Sequence, residues 1–227
     1  MNVIELVGAL VQSELKYTPS GLAILEATLA GKGERAWYHR VTIFGKTAEA
    51  HADTPAGTVL HVVGRLDHQR WEKNGEKRSA VKVIADVVGV TTGTVGTDAK
   101  VQAVLEDAVN VCTLAGNLTR DPETRDTSHG EVTNASIAIN ETRKGEEYTH
   151  YIDVTRWNRA IPGSKGDRII VVGELRTRSF EDRGGTRQYR TEVTATRASG
   201  PGEPLEAAGG PARERLDIDT DDAALPF

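Results

Sequence analysis

Eleven aromatic side chains occur in 227 residues, and six of them fall at matching places in the two halves of the chain. Tyr38 matches Tyr151, Phe44 matches Trp157, and Trp71 matches Phe180. Cations stand close by: Arg40 follows Tyr38, Arg70 and Lys73 flank Trp71, and Arg176 and Arg178 lead into Phe180. Strand side chains alternate with period two, so Tyr38, Arg40, Thr42 and Phe44 share one face while Val41 and Ile43 point to the other. Tyr151, Asp153, Thr155 and Trp157 repeat this arrangement opposite Ile152 and Val154. The aliphatic face is the predicted core; the aromatic face is mixed, polar and outward. Rings displayed this way can stack on nucleic-acid bases for roughly 1–3 kcal/mol each, and interleaved guanidinium groups neutralise phosphates and stack as well. Unpaired bases fit such a surface. Duplex bases do not, because they are already stacked and their major groove usually receives a helix or a β-ribbon.

Catalytic chemistry finds little footing. GxSxG, GxxxxGK[ST] and HExxH are all absent from the sequence. The six histidines, at 39, 51, 61, 68, 129 and 150, lack metal-ligand spacing, and most Asp and Glu lie in turns or near the C-terminus. No metal and no cofactor is expected.

The elements that carry these rings form an internal repeat. Asn2-Val3-Ile4-Glu5-Leu6-Val7-Gly8-Ala9-Leu10 recurs as Asn110-Val111-Cys112-Thr113-Leu114-Ala115-Gly116-Asn117-Leu118, and Val62-Val63-Gly64-Arg65-Leu66 as Val171-Val172-Gly173-Glu174-Leu175. Repeat 1 spans residues 1–90, a connector 91–109, and repeat 2 110–198. Short β-branched alternating runs between Gly, Pro, Asp and Thr turns predict an all-β barrel or sandwich in each copy. Ile4, Leu6 and Leu10 share the inward phase, as do Cys112, Leu114 and Leu118, which makes Cys112 a small buried hydrophobe. In the connector, Val101, Val104, Leu105 and Ala108 recur at helical spacing behind Asp98, predicting a short amphipathic helix over 98–109. Residues 199–227 turn to Gly, Pro and Ala and end Asp221-Asp222-Ala223-Ala224-Leu225-Pro226-Phe227, a disordered linker and acidic tail.

Charge sharpens that division. The net charge of -5 argues against a simple polybasic binder. Seven acids and two bases lie in 199–227, so the tail carries the whole imbalance and the remainder is neutral, with 26 of each sign. Binding then rests on local Arg placement and stacking, and a modest salt dependence is expected. No apolar run approaches the roughly 18 residues of a membrane span, and the N-terminus lacks the basic start of a signal peptide. The expected location is the cytosol.

These residues resemble the bacterial single-stranded-DNA-binding proteins, of the type with two OB domains per chain. The resemblance rests on Asn-Val-x-x-Leu-x-Gly-x-Leu at 2–10 and 110–118, Asp121-Pro122-Glu123-Thr124-Arg125, Trp37-Tyr38-His39-Arg40-Val41-Thr42-Ile43-Phe44, Leu175-Arg176-Thr177-Arg178-Ser179-Phe180, and the acidic C-terminus. It implies two tandem OB folds, each a five-stranded Greek-key barrel. It implies stacking by Tyr38, Phe44, Trp71, Tyr151, Trp157 and Phe180, with Trp37, Arg40, Arg70, Lys73, Arg176 and Arg178 also on the strand. It further implies a homodimer with four OB domains and a non-catalytic role coating single-stranded DNA in replication, recombination and repair, in the cytoplasm at the nucleoid. Partner proteins would be recruited by Asp221, Asp222, Leu225, Pro226 and Phe227, the ring entering an apolar pocket and the carboxylates a basic rim. RNA or oligosaccharide binding, an assembly module, and an OB-barrel nuclease are the alternatives. The pattern departs in three places, one of them the brief linker before the tail, which restricts how far the tip can reach. Asp67 and Gln69 stand where repeat 2 has Arg176 and Arg178, so repeat 1 should attract phosphate less there, with Arg70 and Lys73 to compensate. Only residues 158–165 separate Trp157 from Gly166, so the helix expected after the third strand is short or missing in repeat 2.

Overall fold

A computed structural model describes residues 1–33, 36–73, 76–99, 102–143, 145–181, 187–202 and 205, without the side chains at 73, 76–78, 178–181 and 187–189. In repeat 1 the strands are β1 (Asn2–Tyr17), β2 (Ala23–Lys32), β3 (Ala36–Phe44), β4 (Val59–Lys73) and β5 (Glu76–Thr91), with helix α1 (Gly45–Ala50) between β3 and β4. The connector supplies β6 (Val95–Thr97) and β7 (Ala103–Leu105). Repeat 2 contains β8 (Val109–Leu118), β9 (Glu123–Thr127), β10 (Gly130–Arg143), β11 (Glu146–Trp157), β12 (Arg168–Glu181) and β13 (Arg187–Ser199).

Both repeats close in the same way. Neighbour order β2-β3-β5-β4-β1 is sealed by a β1–β2 pairing, and order β10-β11-β13-β12-β8 by β8–β10. The one parallel step in each barrel falls at matching residues, Val41↔Val83 and Val154↔Val193. These are the two five-stranded OB barrels. Their cores follow the predicted phase: Ile4, Leu6, Leu10, Val41 and Ile43 are buried, as are Cys112, Leu114, Leu118, Ile152 and Val154. Burial among apolar neighbours also pushes the Cys112 thiol well above its ordinary pKa.

The recurring Val-Val-Gly marks a bulge. Register shifts at Val63/Gly64 in β4 and at Val172/Gly173 in β12. A Cβ on Gly64 would stand 2.1 Å from the Ile84 carbonyl oxygen, and one on Gly173 would stand 2.2 Å from that of Thr194, so backbone approach demands glycine at both. The recurring Asn serves the same strands. Asn2 donates to the Leu66 carbonyl at 2.7 Å and accepts the Leu66 N–H at 3.0 Å; Asn110 does likewise with Leu175, at 2.9 and 3.0 Å.

The barrels join edge to edge. β1 and β8 run antiparallel with Ile4 opposite Cys112, Asn2 opposite Leu114 and Leu6 opposite Asn110, so the register is symmetric about matched positions. A pseudo-twofold axis therefore passes between Ile4 and Cys112, and the apolar cluster is continuous through both repeats.

Beyond the split of the first strand into β8 and β9 in repeat 2, two elements break the symmetry. Repeat 1 has α1, whose Ala48 is buried in the core, whereas no helix occurs between Trp157 and Arg168 and Ile161 is buried from the loop instead. One larger side chain fills what the shorter link leaves open. The connector is the second, and it corrects the sequence reading: residues 98–109 form no helix among the described residues. A hairpin of β6 and β7 lies there, joined to the edge of β2 through Gly31↔Leu105. Its Val and Leu residues suit a strand as well as a helix, and the open edge of β2 supplies backbone partners that a helix could not use.

Candidate nucleic-acid interface

On β3, Arg40 is exposed and Phe44 is 39% exposed. On β11, Tyr151 and Trp157 are 36% and 43% exposed, and Trp71 near the end of β4 is 44% exposed. Large rings at this exposure lie on the barrel surface, not in its core. Six residues of extended strand place Tyr151 and Trp157 about 20 Å apart along one face. Between them Thr155 is buried, as is its match Thr42.

The cations near these rings have specific partners. Arg70 reaches across from repeat 1 to place its guanidinium carbon 4.7 Å from the centroid of the Tyr151 ring, and His68 meets the same ring edge-on at 6.0 Å. Arg40 lies 3.6 Å from Glu26, and Arg176 lies 3.1 Å from Glu174. Arg190, which the repeat pattern did not single out, binds Asp153 through two nitrogens at 2.6 and 3.1 Å. Most guanidinium groups along the faces already hold a carboxylate, so a phosphate would have to compete for them. Arg40 also lines a polar trough of about 400 Å³ with Gln12, Ser13, Lys16, Glu26 and Thr28.

Tyr38 is half-buried and its hydroxyl donates to Asp98 of the connector at 2.5 Å. Trp37 does not join the outward face. It shares the inward phase with His39, Val41 and Ile43, packs against the core and stacks on the His39 ring at 5.1 Å. Strand parity alone carries that placement. Lys73, Arg178 and Phe180 have side chains outside the described residues, and Asp221, Asp222, Leu225, Pro226 and Phe227 lie outside them altogether.

Asp67 acquires a role that its mismatch with Arg176 did not reveal. It lies 4.0 Å from Arg143 and 3.5 Å from the buried His150, both in repeat 2. His150 Nδ1 accepts the His68 backbone N–H at 3.2 Å, and its Nε2 faces Glu141 at 3.3 Å. The Arg143 hydrogen bond holds the Glu141 carboxyl below its ordinary range. Where repeat 2 carries Arg176, repeat 1 therefore carries a carboxylate in an ion cluster that ties β4 to repeat 2. Across the seam His39 is fully enclosed, with Asn110 of repeat 2 donating to its Nε2 at 3.2 Å. Desolvation lowers its pKa to about 4.

Among the described residues no group of three or more His, Cys, Asp or Glu is placed to hold a metal ion, and no helix is long and apolar enough to cross a membrane. Two OB barrels with surface rings and guanidinium groups define a class of proteins that bind extended oligomers along a strand face. The chain belongs to the single-strand binding protein family, whose profile matches residues 1–91 and 109–199, one segment per barrel. It is 39% identical to the single-stranded DNA-binding protein of Thermus thermophilus over 236 residues, covering 94% of this chain and 90% of that one. It is 38% identical to the protein of the same name from Deinococcus radiodurans over 224 residues, 87% and 74% of the two chains. The crystal structure of wild-type single-stranded DNA binding protein from Thermus aquaticus superposes with a TM-score of 0.68 at 34% identity, covering 92% of this chain and 97% of that one.

Proposed function

We propose that the chain binds single-stranded DNA without sequence preference and without catalysis, coating exposed strands in replication, recombination and repair in the cytoplasm. The observation that carries this reading is the Tyr151 face, where an exposed ring, a guanidinium from the other repeat and the Trp157 indole lie along one strand. Stacking on Tyr151, Trp157, Phe44, Trp71 and Phe180, with Arg40, Arg70, Lys73, Arg176 and Arg178 toward phosphates, requires no base identity. Titrating intrinsic tryptophan fluorescence with oligo-dT is expected to give strong quenching and an uncleaved oligonucleotide. Unquenched fluorescence, or cleavage, would overturn the reading. Because Arg40 and Arg176 already hold carboxylates, affinity should fall only modestly with salt.

The same reading includes a homodimer. On the outer face of the neighbouring strands β5-β4-β1-β8-β12, Val87, Val3, Val111 and Ile170 are exposed, and the valines at matched positions 3 and 111 straddle the pseudo-twofold axis. Such a face suits a second copy of itself. A sedimentation mass equal to one chain would refute it. The C-terminal Asp221-Asp222-Ala223-Ala224-Leu225-Pro226-Phe227 would recruit replication, recombination and repair proteins. Removing residues 217–227 is expected to abolish capture of such partners while DNA affinity stays equal or rises; undiminished capture would sink the assignment.

A further inference from the structure

The two aromatic faces diverge at a position where the repeats match. Tyr151 has a cation over its ring, Arg70 at 4.7 Å. Tyr38 has an anion at its hydroxyl instead, Asp98 at 2.5 Å. Burial and this hydrogen bond raise the Tyr38 pKa to about 12, so the phenol stays a donor.

Asp98 is held firmly. Its Oδ1 accepts the Gln102 N–H at 2.8 Å, and its own N–H donates to the Gln102 carbonyl at 3.0 Å. The hairpin that carries it is docked. Leu105 pairs with Gly31, Lys32 binds Glu106 at 3.0 Å, and Ala9, Val59 and Leu105 form a second apolar cluster beneath Val7, Ala103 and Ala108. A carboxylate on a seated element cannot simply swing away when a strand arrives.

We propose that Asp98 makes the two repeats unequal DNA sites: it ties the Tyr38 ring through its hydroxyl and sets a negative charge beside it, so single-stranded DNA engages the Tyr151–Arg70 face first. This rests on the single-stranded-DNA reading above. The Asp98 carboxylate at Tyr38 offers an incoming phosphate no attraction, whereas the Arg70 guanidinium attracts one at Tyr151. The internal repeat therefore encodes one strong and one restrained platform.

Calorimetric titration with oligo-dT of about ten nucleotides, within the roughly 4–16 spanned by one OB fold, tests this. The unaltered chain is expected to show one tight and one weak site. Tyr38→Phe keeps the ring and removes the donor; Asp98→Asn keeps an oxygen for the Gln102 N–H and removes the charge. Each is expected to tighten the weak site about threefold to tenfold, the gain from releasing part of a charge-assisted hydrogen bond. The double variant should gain no more than the better single one, because both release the same contact. Two equal sites in the unaltered chain would overturn the proposal. So would a weak site that neither variant tightens while the thermal midpoint holds, since Asp98 would then only staple the hairpin. Failure of a long oligo-dT to bind at all would instead refute the DNA-binding reading.

Discussion

Replacing Trp71 and Trp157 together with alanine is expected to weaken oligo-dT binding by about 2–6 kcal/mol, on the order of thirtyfold to ten-thousandfold, with little change in thermal stability. Each indole stacked on a base accounts for roughly 1–3 kcal/mol. The two rings lie in different repeats and share no ring contact, so their losses should nearly add. Both remain more than two-fifths exposed in the free protein, so truncation removes little packing. Only the core-packed Trp37 would be left to fluoresce, so the affinity is best read by filter retention or by anisotropy of a labelled oligonucleotide. A fall in the thermal midpoint with affinity unchanged would show that the indoles serve the barrels and not the DNA.

What the sequence reveals of this surface follows from the reach of its rules. Period-two alternation is local, and it correctly divides Val41 and Ile43 from Phe44, and Ile152 and Val154 from Tyr151 and Trp157. The same rule puts Trp37 inward, against the motif that groups it with the DNA-facing residues; parity, set by the pleat, prevails. Spacing between repeats is also legible, and it correctly leaves the link after β11 without a helix. The connector fails because Val-rich runs satisfy both periods, and only the neighbouring edge of β2 decides between them. The Asp67–His150–Glu141–Arg143 cluster is beyond any local rule, since the two repeats meet through residues more than seventy positions apart. A repeat reveals which residues are equivalent, but not that Arg70 of one copy would cover Tyr151 of the other.

The seam between repeats should also make the fold sensitive to mild acid. His39 in the folded chain has a pKa of about 4, against about 6.5 when unfolded. Between those values the unfolded chain binds a proton that the folded chain excludes, so stability falls as pH drops from about 6.5 to about 4 and then levels off. The full difference is about 3 kcal/mol, of which about 2 kcal/mol should be lost between pH 7 and pH 5. The geometry agrees with the sign. Burial is the larger effect: Asn110 donates to His39 Nε2, and a proton there would lose that bond, offset only in part by the Leu175 carbonyl that favours the charged ring. Urea unfolding at pH 7 and pH 5, for the unaltered chain and for His39→Gln, isolates the effect, because the other titrating groups are common to both. The variant is expected to lose about 2 kcal/mol less over that interval; an equal loss in both would remove His39 as the cause. Ile152 occupies the equivalent position in repeat 2, so the acid-sensitive contact exists on one side of the pseudo-twofold axis only. Protonation should therefore loosen the seam from the β3 side, where Asn110 also holds the Leu175 backbone of β12, rather than melt either barrel core.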